Sequence, residues 1–260
     1  MPTGYPLDDH LGEPMTAAPL LPLRPRTTPA ARRLVCFPHA GGSAGWYRPW
    51  GAHLDDSVEL LGVQYPGREH RFGEPLVADM ATLVTEITAA LRAEPQRPTV
   101  FFGHSMGASV AYETLLRLEA AGSRQVTRLV VSGRRAVVPP ATAPARPMTD
   151  AELVESMTTL GGTPRAVLAD PELRALFLPP LRNDYLLLDR YRPAPGTPPI
   201  HADLIAVTGD ADPRVTVDEM RAWTTLTTGR TATRVFPGGH FYLADHAAPL
   251  AHLATSPELD

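Results

Sequence analysis

Three residues, in one order along the chain, have the types needed for nucleophilic acyl chemistry: Ser105, Asp212 and His240. Ser105 lies in Gly103-His104-Ser105-Met106-Gly107, directly after the apolar run Val100-Phe101-Phe102. A serine at the tip of a sharp strand-to-helix turn takes a strained backbone conformation, and side chains two positions either side would clash; Gly103 and Gly107 remove those clashes and leave the hydroxyl exposed. Such a hydroxyl attacks a carbonyl when an imidazole takes its proton and a carboxylate orients that imidazole. The start of the following helix aims free N–H groups and a partial positive charge at the same point, which suits a developing oxyanion.

The base is expected at His240, because Pro237-Gly238-Gly239-His240-Phe241 directly follows an apolar strand and the two glycines let the loop carry the imidazole back over the sheet. His39 and His104 are its rivals. His104 neighbours the nucleophile, where its side chain should point away from the active face, and His39 belongs to another loop. Two aspartates compete as the acid. Gly-x-x-Asp spacing carries Asp212 clear of the strand end, whereas Asp210 is placed to tighten its own turn. The oxyanion donors are expected to be the N–H groups of Met106 and, from Pro38-His39-Ala40-Gly41-Gly42, of Ala40.

These loops need a sheet beneath them. Apolar runs at 33–37, 58–64, 99–102, 128–132, 202–208 and 231–236 read as strands. Helices are expected at 80–92, capped by Asp79, and from about Met106 to Leu118, stopped by Gly122. Strand and helix alternate, so the fold class is α/β: a mostly parallel sheet wound by right-handed crossovers, with ligands at the carboxyl ends of the strands. Between about 135 and 199 the alternation stops. A capping box at Thr149–Glu152, a Gly161-Gly162 stop and an Asp170-Pro171 start mark short helices, with Pro179-Pro180 expected to break the last of them before it resumes at Leu181. This insertion reads as a lid over the serine. Residues 1–30 read as a flexible, proline-rich extension and 31–260 as one catalytic domain.

Composition removes several alternatives. All 24 basic residues are arginine, so a Schiff-base lysine, a pyridoxal phosphate anchor, a Walker-A lysine and a Ser-Lys dyad are excluded. The formal charge of −4 gives no reason to expect nucleic-acid binding. Cys36, alone of its kind, sits in an apolar strand and reads as a buried thiol. No zinc-type spacing or dinucleotide fingerprint occurs, and neither metal nor cofactor is expected. No signal-peptide pattern or bilayer-length apolar run is present, so a cytoplasmic protein, working as a monomer away from membranes, is expected.

Taken together, Phe37-Pro38-His39-Ala40-Gly41-Gly42-Ser43-Ala44, Tyr65-Pro66-Gly67-Arg68, Gly103-His104-Ser105-Met106-Gly107, Gly209-Asp210-Ala211-Asp212-Pro213 and Phe236-Pro237-Gly238-Gly239-His240-Phe241 resemble the type II thioesterases, from about Leu34 to about His246. Those are stand-alone α/β-hydrolases that accompany polyketide synthases and nonribosomal peptide synthetases. The resemblance implies hydrolysis of stalled or misprimed acyl groups from the phosphopantetheine arm of acyl or peptidyl carrier proteins. It carries Ser105, Asp212 and His240 over as triad, and Ala40 and Met106 as oxyanion donors. A general carboxylesterase or acyltransferase of the same fold, and a non-catalytic carrier-binding scaffold, are the alternatives. Because such carriers are acidic, Arg134, Arg135 and Arg146 are candidate docking residues, set against a reading as ordinary solvated charge.

Overall fold

A computed structural model describes residues 18–26, 28–136, 145–163 and 165–259. Its centre is a seven-stranded sheet formed by β1 (Leu20–Pro22), β2 (Arg32–Phe37), β3 (Val58–Val63), β4 (Thr99–His104), β5 (Val126–Ser132), β6 (Asp203–Gly209) and β7 (Thr231–Phe236), in the order β1-β3-β2-β4-β5-β6-β7. All neighbours run parallel except β1, which pairs antiparallel with β3.

Strand side chains alternate between two cores, as the two-residue period of a pleated strand requires. Val35, Phe37, Phe101, Leu129 and Val131 face one side, with α1 (Met80–Ala93) and α2 (Met106–Ala120). Leu34, Cys36, Phe102, Val130 and Ile205 face the other, with the 3₁₀ segment Ala44–His53 and the last helix of the described residues, α7 (Ala247–Thr255). Because both faces are covered, these strands read as unbroken apolar runs. Each fully buried Leu, Ile or Phe contributes about 1.5–3 kcal/mol. Cys36 lies in this core, and burial pushes its thiol well above the usual range.

The first departure from the sequence reading is β1. Leu20–Pro22 fall within the extension expected to be flexible, yet they pair with Val63, Gly62 and Leu61, and Leu20 and Leu23 are buried. An edge strand tolerates proline because one row of its N–H groups needs no partner, and β1 covers what would otherwise be an open sheet edge. Residues 1–17 lie outside the described residues.

The insertion contains α3 (Asp150–Leu160), α4 (Arg165–Ala169) and α5 (Pro171–Arg190). The expected caps are present: Thr149 and Glu152 form a reciprocal box, and Asp170 accepts from the N–H groups of Glu172 and Leu173. The expected break is absent. Helix α5 runs straight through Pro179 and Pro180 for 20 residues. Proline inside a helix costs about 3 kcal/mol, and here tertiary contacts oppose that cost on both sides of the pair. Leu178 and Leu181 are buried against Leu153, while Asp184 and Leu187 anchor the second half. Residues 137–144, also within the expected insertion, lie outside the described residues. Beyond it, α6 (Val217–Arg221) is capped by a second reciprocal box, Thr216 with Glu219.

Candidate active site

The parallel register brings the carboxyl ends of β2, β4 and β5 level: Phe37 stands opposite Gly103, and His104 opposite Ser132. At the end of β4, Ser105 has φ 53° and ψ −116°, a conformation that non-glycine residues seldom adopt. Packing enforces it. The Ser105 N–H donates to the Ser132 carbonyl at 2.8 Å. A Cβ at Gly107 would overlap the carbonyl oxygen of Phe37, and one at Gly103 would overlap the Gly107 carbonyl. The two glycines therefore let α2 start directly over the strand ends, with its first N–H groups free of intrahelical partners.

The loops after β6 and β7 bring in the other two residues. His240 Nδ1 lies 2.8 Å from Asp212 Oδ2, and both side chains are almost wholly buried. A carboxylate only accepts, so Nδ1 is the donor to Asp212, and in the neutral ring Nε2 is the nitrogen that carries the lone pair. The other carboxylate oxygen, Oδ1, accepts the Arg214 N–H at 2.8 Å, which fixes the plane of the Asp212 carboxylate. Asp210 does different work: its Oδ1 accepts the Gly238 N–H at 2.9 Å and ties the two loops together. His240 lies over the end of β5, where a Cβ on Gly133 would come within 3.3 Å of its Cε1. Gly133 directly follows Ser132, the residue that holds the Ser105 N–H.

The rival histidines pack behind His240. His104 is fully buried, with its ring centroid 4.8 Å from that of His240, and its Nδ1 meets the Ser132 hydroxyl at 2.9 Å. Ser132 in turn contacts the Tyr242 hydroxyl at 2.7 Å. His39 stands 6.0 Å from His104 and 4.8 Å from Phe241, centroid to centroid. Burial, reinforced by His240 and Arg68, lowers His39 to about 3. Burial, then His240 and His39, holds His104 well below the usual imidazole range. Both are therefore neutral near pH 7, and neither adds a charge beside His240.

In the loop after β2, the Gly41 N–H donates to Asp184 at 2.8 Å and the Gly42 N–H to the His39 carbonyl at 2.9 Å. Those two donors are engaged, whereas no hydrogen bond within the described residues engages the N–H of Ala40. The side chain of Ala40 packs on the insertion core of Leu153, Leu178 and Leu181. The insertion reaches the site from the other side too, where Gly162 backs onto the Phe241 ring, next to His240.

Sequence reasoning missed the residue that joins insertion to loop. Asp184 on α5 accepts from Arg68 through both oxygens, at 2.7 and 2.9 Å, as well as from Gly41. Both side chains are buried, and Asp184 raises the Arg68 guanidinium against the opposing pull of burial. Removing one partner of such a pair typically costs about 3–5 kcal/mol. The signal was present: Leu181, Asp184 and Leu187 fall at helical spacing on one apolar face, and an acid in that stripe requires a partner.

The arginines proposed for docking are mostly occupied. Arg134 turns inward: its Nε donates to Ser109 at 3.1 Å and its carbonyl accepts from the Trp223 indole at 2.6 Å, and burial brings its guanidinium down to about 10. Arg135 is 3.4 Å from Glu219, and Arg146 pairs with Glu152 on the surface. Among the described residues, no three His, Cys, Asp or Glu side chains are grouped to hold a metal ion.

The thioesterase domain model matches residues 32–255. A probable cadicidin biosynthesis thioesterase of Streptomyces griseus is 45% identical over 218 residues, which cover 83% of this chain and 59% of that protein. Thioesterase PikA5 of Streptomyces venezuelae is 40% identical over 220 residues, covering 83% of this chain and 77% of its own length. Among solved structures, the type II thioesterase BorB from the borrelidin biosynthetic cluster superposes with a TM-score of 0.80 at 39% identity, over 92% of this chain and 96% of BorB. With the family match running from β2 into α7, the chain belongs to the thioesterase domain family and has the α/β-hydrolase fold.

Proposed function

We propose that this protein is an editing thioesterase that removes stalled or aberrant acyl groups from the phosphopantetheine arm of acyl or peptidyl carrier proteins. The observation that carries the proposal is the His240–Asp212 pair at 2.8 Å, set over the carboxyl end of β5, with Ser105 held at φ 53° at the end of the neighbouring strand β4. A buried imidazole with Nδ1 tied to a carboxylate is organised to act as a base through Nε2.

In this mechanism the Ser105 hydroxyl attacks the thioester carbonyl while its proton passes to His240 Nε2. The N–H groups of Ala40 and Met106 receive the oxyanion. On collapse the C–S bond breaks, and the pantetheine sulfur leaves as a thiol with the proton from His240. Water then attacks the acyl-serine, giving its proton to His240, which returns it to Ser105 as the free acid departs. Asp212 stabilises the imidazolium in both halves. The helical insertion acts as a lid, and Met157, Phe177 and Tyr185 around its core supply apolar surface for an acyl chain. One methylene discriminates by only about 1–3 kcal/mol in such a pocket, which suits an enzyme that clears many acyl groups. No described helix is long and apolar enough to cross a membrane, and we place the reaction in the cytoplasm with the carrier proteins.

The test is hydrolysis of several acyl groups loaded on a carrier protein, compared with the same acyl groups on N-acetylcysteamine and as oxygen esters. Faster turnover of carrier-bound thioesters, lost in Ser105→Ala, is the expected result. Preference for oxygen esters would make the protein a general carboxylesterase. Carrier binding without turnover would make it a scaffold.

A further inference from the structure

The loop after β3 is built as a brace for the loop after β2. Tyr65 donates its hydroxyl to the Pro38 carbonyl at 3.1 Å. The Ser43 hydroxyl donates to Glu69 at 2.5 Å, and Glu69 itself has φ 46°, unusual for a side chain of its size. Arg68 Nη1 reaches both the Gly42 carbonyl, at 3.2 Å, and Asp184 Oδ2, at 2.7 Å. The same Asp184 oxygen accepts the Gly41 N–H at 2.8 Å. One carboxylate oxygen from the insertion therefore holds the brace and the braced loop together, beside Ala40.

We infer that Asp184 is a positioning residue for the oxyanion hole, holding the Ala40–Gly41 peptide plane through Gly41 N–H and itself held by Arg68, so that the donor geometry is complete only when α5 is seated. This rests on the acyl-enzyme reading above. Backbone freedom at Ala40 lies in the two peptide planes flanking it: the Gly42 N–H holds the plane that carries the Ala40 donor through the His39 carbonyl, and Asp184 holds the plane on the carboxyl side, without which the turn that makes the first bond is free to open. Gly41, at φ 74°, has little steric resistance of its own to rotation. Leu181, one turn earlier on α5, closes the remaining space, lying within 2.9 Å of where a Gly41 Cβ would be. The link makes lid seating a condition for stabilising the tetrahedral intermediate. A substrate that keeps α5 docked gains rate, and one that lifts it loses rate without losing the nucleophile.

The experiment compares Asp184→Asn and the double variant Arg68→Met/Asp184→Leu with wild type and with Asn183→Ala. The double variant removes both buried charges together, a change that folded proteins often tolerate. Asn183 binds the Val77 carbonyl at 2.7 Å and serves as a control for anchoring of the same helix. Each is assayed on an acyl N-acetylcysteamine thioester for kcat and KM. Each is also titrated with a boronic acid, which forms a tetrahedral serine adduct, and with the product acid, which does not. Misplaced donors should cost about 10–100-fold in kcat with KM within about threefold. Boronate affinity should fall in step with kcat, while product-acid affinity and the Asn183→Ala rate stay near wild type. Full kcat in the folded double variant would overturn the inference, as would equal weakening of boronate and product acid. Hydrolysis surviving Ser105→Ala would overturn the acyl-enzyme reading and this inference with it. Loss of hydrolysis in Ser105→Ala beside unaffected Asp184 variants would overturn the inference alone.

Discussion

Asp212 and His240, 28 residues apart in sequence, meet through a 2.8 Å hydrogen bond in which each oxygen of the carboxylate has its own donor. Because the Arg214 N–H holds Oδ1, an asparagine at 212 would keep its carbonyl on Arg214 and turn its NH₂ toward His240. The imidazole would then accept at Nδ1 and carry its proton on Nε2, where it cannot take one from Ser105. Asp212→Asn should lower kcat by roughly 10⁴. Asp210→Asn retains an acceptor for the Gly238 N–H and should cost less than about tenfold. Steady-state hydrolysis of an acyl thioester checks both, and the reverse ranking would move the acid to Asp210.

Ser105→Ala should abolish turnover, with a loss on the order of 10⁶. Thermal unfolding adds a second measurement. Alanine keeps the side-chain clash at φ 53°, whereas Ser105→Gly relieves it. Backbone strain of this kind costs about 1–3 kcal/mol, part of which glycine returns as chain entropy. Ser105→Gly should therefore melt a few degrees above Ser105→Ala. Equal melting temperatures would show that the strain released at the elbow is no larger than the chain entropy that glycine adds.

Arg134 has no carboxylate partner among the described residues, yet its guanidinium is largely desolvated beside Ser109. Arg134→Met fills similar volume without a buried charge and should raise the melting temperature by a few degrees. Should it instead raise KM for an acyl-carrier substrate while sparing a small thioester, Arg134 belongs to a docking surface after all.

The strands and the loop residues at their ends were legible because each carries a local signal. Apolar runs give the strands, glycines give the elbow, and Gly-x-x-Asp separates Asp212 from Asp210. What was not legible depends on pairing between distant segments. Leu20–Pro22 form a strand only because β3 offers an edge. Pro179 and Pro180 stay helical only because Leu178, Leu181 and Asp184 are held from outside. Arg134 read as surface charge because nothing local shows Ser109 and Trp223 closing around it.

His39 and His104 set the acid limit of stability. In the folded protein His39 falls from the ordinary 6.5 to about 3, and burial holds His104 low as well. His39 Nδ1 and His104 Nε2 are buried without hydrogen-bond partners, so a proton gained by the ring would find no acceptor there. The unfolded chain binds those protons near pH 6.5 and the native state does not. Stability is thus fully present above about 6.5 and falls as pH drops toward the folded values, by up to about 1.4 kcal/mol per pH unit for each histidine. Carboxylates held low by hydrogen bonds, such as Asp55 and Asp79, add their loss only below about pH 4. Urea unfolding between pH 8 and 4.5 therefore isolates the histidines. Wild type should weaken from about pH 6.5 downward, and His39→Met should remove one proton's share of that slope. A wild-type stability flat to pH 5 would mean that these rings take up protons in the folded state, contrary to the burial of His39 Nδ1 and His104 Nε2 without partners.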